Sequence, residues 1–130
     1  TGTAKVKFLL KGEKVEKLEL NEIILCPTFL MEQINENFNL IFNSNSLSEM
    51  VEKDTDAYIS FINQTQPEIF FHQNANVLLF PNSERHIEVL SSEFKIDNEK
   101  YLKISSSLAP WTGGSGRHRE YLYLSKKLFK

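Results

Sequence analysis

Between residues 57 and 104 the apolar runs are short, and each is cut off by Asn, Pro, Ser or Asp before it can lengthen. The runs fall at 57–62, 68–72, 77–80, 86–90, 93–96 and 101–104, a spacing that predicts short strands. Turn signals at 73–76, 81–83 and 97–99 leave little room for the long crossovers that parallel strands require. A mostly antiparallel sheet is therefore expected.

The N-terminal part adds a hairpin and a helix to this expectation. Ala4, Val6, Phe8 and Leu10 alternate with Lys5, Lys7, Leu9 and Lys11, the period of a half-buried strand. Gly12 and Glu13 then suit a tight turn into a second strand over 14–20, although Val15 is out of phase with Leu18 and Leu20. After the apolar stretch 23–26 and Pro27, Thr28 suits the cap of an amphipathic helix over 29–38. Leu30, Ile34 and Phe38 recur at four-residue spacing there, while Glu32, Asn35 and Glu36 face water. Ser46 with Glu49 has the spacing of a capping box, predicting a short helix through Lys53 that Asp54 to Asp56 would end.

The fold class implied is α+β: a mostly antiparallel sheet of short strands, one main amphipathic helix, and a C-terminal helical or extended segment. A hairpin followed by a helix resembles the opening of β-grasp domains, and many strands before a terminal helix resemble a PH-like barrel. Both resemblances are architectural and carry no activity across.

Charge and glycine are unevenly distributed. Residues 117–130 hold Arg117, Arg119, Lys126, Lys127 and Lys130 against Glu120 alone, so they carry +4. The preceding residues hold ten basic against sixteen acidic side chains, or −6. Between them lies Thr-Gly-Gly-Ser-Gly, with three of the five glycines in the chain. Such a tract is a flexible coil, either a native loop or an engineered linker. The expected organisation is an acidic interaction domain over 1–111, a linker over 112–116, and a basic peptide over 117–130 that stands in for a segment of a partner. Tethering would raise the local concentration of such a peptide to the order of millimolar.

Chemistry-bearing motifs are sparse. Cys26 lies in an apolar run, where an inert thiol is the rule. His72, His86 and His118 lack metal-ligand spacing, and Asp54 with Asp56 lacks the rest of a calcium loop. No catalytic residue, metal or cofactor is assigned. The body's acidity argues against nucleic acid as a partner. The absence of an apolar run long enough for a membrane span points to an intracellular, cytoplasmic or nuclear setting.

The function expected is a non-catalytic domain that binds a short basic, aromatic-rich peptide. Tyr121, Leu122, Leu124, Leu128 and Phe129 would anchor the peptide, with Arg117, Arg119, Lys126 and Lys127 supplying orientation. Glu13, Glu16, Glu19, Glu32 and Glu36 are the acidic candidates on the receiving side. Tyr121 to Leu124, following Glu120, is also similar to the aromatic-x-x-aliphatic motif read by autophagy-related ubiquitin-like proteins. An enzyme or enzyme accessory domain without recognisable motifs, and an adaptor with a native regulatory tail, are the alternatives.

Overall fold

The computed structural model describes residues 3–15, 17, 19, 22–35, 37–77, 89–109 and 117–130. The expected linker over 112–116 lies outside them, as do Glu16 and Glu36. The chain divides into two compact units, Thr1–Asn37 and Phe38–Lys130, and its α+β class is the one expected.

In the first unit β1 (Lys5–Phe8) pairs in parallel with β2 (Glu22–Leu25). The turn at Gly12 forms, with Gly12 at φ 91°, the left-handed region that glycine tolerates. Among the described residues the expected hairpin does not follow from it, and Val15 bridges to Ile34 instead; Leu18 and Leu20 of the expected second strand lie outside the described residues. Gln33 fastens the turn from across the unit: its Nε2 donates to the carbonyls of Leu10 and Glu13 at 2.9 and 2.6 Å, and its Oε1 accepts from Gly12 N–H at 3.0 Å. Leu9 thereby joins Val15 and Leu30 in a small core, packed by Ile24, Cys26 and Ile34. Val6, Phe8 and Leu10, expected to be the buried face, are exposed.

The helix expected over 29–38 shortens to a 3₁₀ segment, Thr28–Gln33. Thr28 begins that segment rather than capping it. Ile34 is drawn into its bridge with Val15, and the asparagines at 35, 37 and 39 favour turns over helix.

The main helix, α1, is Glu52–Thr65 in the second unit. This corrects two expectations, since 54–56 does not end a helix and 57–62 is not a strand. Apolar residues in Ala57 to Ile62 suit either period. Thr55, Ile59 and Ile62 decide it, because their helical spacing buries all three on one face. Thr55 Oγ1 donates to the Leu47 carbonyl at 2.8 Å, tying the helix to the 3₁₀ turn Leu47–Glu49. Glu52 and Asp54 complement the positive end of the helix dipole. Gln66, at φ 47°, donates its N–H to the Ile62 carbonyl and closes the helix before Pro67.

A four-stranded sheet runs in the order β3-β4-β6-β5, formed by β3 (Leu40–Ser44), β4 (Ile69–Ala75), β5 (Tyr101–Leu108) and β6 (His118–Ser125). The β3-α1-β4 connection makes its first pair parallel, and the other two pairs are antiparallel. Among the described residues the sheet is open, with no barrel closure. The strand expected over 93–96 is irregular chain after the 3₁₀ turn Ser91–Glu93. Phe94 there packs inward. Val77 and residues 89 and 90 stand outside any strand; the remainder of 77–80 and 86–90 lies outside the described residues.

Leu47, Ile59, Ile62, Phe70, Phe94, Tyr101, Tyr121 and Tyr123 form the core of this unit. Thr55→Val would remove the shorter of the two bonds to the Leu47 carbonyl and leave it only the Met50 N–H at 3.4 Å. It is expected to cost about 0.5–1.5 kcal/mol in urea unfolding followed by helical circular dichroism; an unchanged midpoint would refute the role of this bond.

Candidate interaction site

Of the segments singled out by sequence, 117–130 is the one that the structure places most informatively. It is extended from His118 to Ser125 and then makes a 3₁₀ turn, Lys126–Phe129. The strand form follows from the run Tyr-Leu-Tyr-Leu. Only a period of two puts Tyr121 and Tyr123 on one face and Leu122 and Leu124 on the other.

β6 is paired on both sides. Against β4 its register runs from Ala75 opposite His118 to Ile69 opposite Leu124. Against β5 it runs from Leu108 opposite Arg119 to Tyr101 opposite Ser125, with a bulge between Lys103 and Ser105. Further bonds fix its ends. Arg117 and His118 carbonyls accept from Asn76 and Ala109 N–H groups at 2.8 and 3.0 Å. Ser125 and Lys126 N–H groups donate to the Glu68 and Lys100 carbonyls, both at 2.8 Å. Ser125 Oγ also accepts from Gln66 Nε2 at 2.9 Å.

The expected anchors divide by depth. Tyr121 is buried, Leu122 and Leu124 are half-buried on the opposite face, and Leu128 and Phe129 are exposed. Arg119 Nη1 lies 3.4 Å from Ser106 Oγ, and Lys127 Nζ lies 3.4 Å from the Gln66 carbonyl. Arg117 and Lys126 are half-buried at the two ends of the strand. The basic residues thus flank an uncharged aromatic centre.

Among the acidic candidates, Glu13, Glu19 and Glu32 belong to the first unit. Glu13 Oε2 accepts from Leu10 N–H at 3.0 Å, Glu19 pairs with Lys5 at 3.6 Å, and Glu32 is exposed. Counted by unit, the first holds five basic and six acidic residues and the second ten and eleven. The charge division read from the sequence therefore does not coincide with the structural one.

Sequence reasoning set His72 aside, yet it lies at the centre of the seam between β4 and β6. It is fully buried, directly opposite Tyr121. Its ring stacks on Tyr121 at 4.8 Å, with Phe94 at 5.0 Å, Phe70 at 5.1 Å and Tyr123 at 5.8 Å. The alternation Phe70, His72, Asn74 was the available signal, since one polar residue in an aromatic stripe belongs to the same face. His72 Nδ1 lies 3.5 Å from Asn74 Nδ2, and Nε2 has no hydrogen-bond partner among the described residues. Asn74 in turn donates to Asn43 Oδ1 at 2.9 Å and accepts from Ser46 N–H at 3.1 Å, joining β3 and the following turn to β4.

Burial pushes the His72 imidazole down to about 3, so it is neutral in the folded protein. Burial also raises the phenols of Tyr101 and of Tyr123, the latter to about 12. Lys103 Nζ stands 5.9 Å from the centre of the Tyr121 ring, a cation facing its π cloud. Chemically the arrangement is a central strand held by backbone bonds along both edges, with Tyr121 and Tyr123 buried in the aromatic core.

Elsewhere, Cys26 Sγ donates to the Pro27 carbonyl at 3.2 Å and burial raises its thiol pKa. Among the described residues no cluster of His, Cys, Asp and Glu is arranged to hold a metal, and no helix is long and apolar enough to cross a membrane. No family model, curated protein or solved structure compared with the chain matches it.

The depressed His72 pKa makes stability depend on acid. The unfolded imidazole titrates near its ordinary value of 6.5 and the folded one near 3, so stability is complete above about 6.5 and falls as the pH drops toward 3. The loss by pH 5 should be about 2 kcal/mol. Urea titrations at pH 7 and pH 5 check this, and His72→Phe should shrink the difference.

Proposed function

We propose that this protein is a non-catalytic interaction domain that takes up a short basic, aromatic-rich peptide as an added strand, with residues 117–130 occupying the peptide's place. The observation that carries this reading is the position of β6, paired along both edges while its side chains alternate between core and opposite face. Strand addition works in this way elsewhere: backbone bonds supply affinity and alternate side-chain pockets supply specificity.

On this reading Tyr121 and Tyr123 are the deep anchors, Leu122 and Leu124 cover the other face, and Leu128 and Phe129 contribute little. The basic residues at either end set orientation and encounter rate rather than the bulk of the affinity. Without the peptide, β4 and β5 would stand two strand spacings apart, about 10 Å, so the receiving slot would be far less stable empty than filled. A native tail that never leaves the sheet is the competing reading, favoured by that same inner position.

The two readings separate on exchange. A protease site placed within 112–116 and cut in the folded protein should release the tail to exchange with labelled 117–130 peptide. The Tyr121→Ala peptide should compete at least 100-fold more weakly, as expected for losing a buried aromatic worth about 3 kcal/mol. Arg119→Ala should cost less than tenfold. A cleaved protein that remains folded and never admits labelled peptide would make β6 a permanent strand and end the proposal.

A further inference from the structure

The sheet has two outer strands, and they are protected very differently. β5 carries Lys103 and a bulge, features that discourage further strand pairing. β3 has none of these. Its sequence is Leu-Ile-Phe-Asn-Ser, and the stretch from Asn37 to Ser48 around it contains no charged residue and no proline. Among the described residues no strand pairs with its far edge.

The backbone of β3 points the matching groups outward. The Asn39 carbonyl accepts from Ile69 N–H and Asn45 N–H donates to the Gln73 carbonyl, so the odd-numbered residues face β4. By the alternation of a parallel ladder, the N–H and C=O groups of Leu40, Phe42 and Ser44 face the open edge. The side chains of Leu40 and Phe42 are 54% and 62% exposed, on the face opposite the core. Phe42 lies flat on Phe71 of β4, with ring centres 5.6 Å apart and planes 3° from parallel.

From this edge we infer that the protein forms a two-fold dimer, in which β3 of one copy pairs antiparallel with β3 of another about an axis at Phe42. A second copy is the occupant that the chemistry selects. An uncharged strand offers nothing to attract a charged partner, whereas its own copy supplies the same apolar alternation with no like charges brought together. Pairing at Phe42 sets Phe42 against Phe42, extending the stacked Phe71–Phe42 pair into a row across the axis, and sets Leu40 against Ser44. Among the described residues each copy has one such uncharged edge, so pairing consumes it and stops at two. β4 lies between β3 and β6, so the dimer does not depend on the reading of residues 117–130.

Sedimentation velocity from about 1 µM to about 1 mM, a range covering weak strand-edge contacts, is the test. The expected result is a monomer–dimer equilibrium that Phe42→Lys weakens at least tenfold. Ser44→Pro should weaken it too, because it removes an outward N–H while leaving the β4 ladder alone. Circular dichroism shows whether either variant is folded. A third arm is independent of their folding: in a Cys26→Ser background, Phe42→Cys should oxidise to a covalent dimer, since directly bonded antiparallel partners have Cα atoms about 5.5 Å apart, within disulfide reach. A monomer throughout the range, association beyond the dimer, a dimer unaffected by folded Phe42→Lys, or no Phe42→Cys cross-link would each overturn the inference.

Discussion

The β4–β6 ladder holds the second unit together, because four of the buried rings on the sheet's inner face come from one side or the other of that seam. Phe70 and His72 come from β4, and Tyr121 and Tyr123 come from β6, directly opposite them. Their rings stack at 4.8 to 5.9 Å, and α1 closes over them with Ile59 and Ile62. Aromatic packing of this kind is both large in area and specific in geometry, which makes the register of the two strands hard to shift.

A buried histidine within such a stack has a definite electrostatic cost. The groups around His72 are rings and the amide of Asn74, and Lys103 faces Tyr121 from β5. The attraction of these ring faces for an imidazolium is smaller than the hydration that burial removes, so the same packing that orders the seam makes it sensitive to acid. The asparagine beside it compensates locally. By bonding to Asn43 and Ser46, Asn74 turns a polar residue in the core into the link between β3, the following turn and β4.

Sequence reading succeeded where one period was clearly stronger than the other. The strands at 68–72 and 101–104 are there, as Ile69–Ala75 and Tyr101–Leu108. For 117–130 the helical and extended readings were both open, and the fold adopts the extended one over His118–Ser125. Sequence reading failed where both periods fit. Ala57 to Ile62 alternates well enough for a strand, and only the more distant Thr55, whose hydroxyl is satisfied by Leu47, completes the helical stripe. The hairpin after Gly12 failed for a related reason: the turn was legible, but the parallel partner at 22–25 is a long-range choice that local pattern does not encode. His72 was missed because a lone histidine on an apolar face carries no motif. The charge division is sharp along the chain, whereas grouping residues by unit gives five basic against six acidic and ten against eleven.

The placement of β6 between β4 and β5 also bears on synthesis. Both neighbours precede it in the chain, so as the polypeptide emerges from a ribosome the two strands leave the tunnel before the one that joins them exists. Until residues 118–125 emerge, Phe70, His72 and Tyr101 have no cover from Tyr121 and Tyr123. The nascent chain must carry an unfinished aromatic surface, the kind of intermediate that chaperones bind. A strand late in sequence and central in the sheet thus makes folding of this unit largely an event of completion rather than of growth.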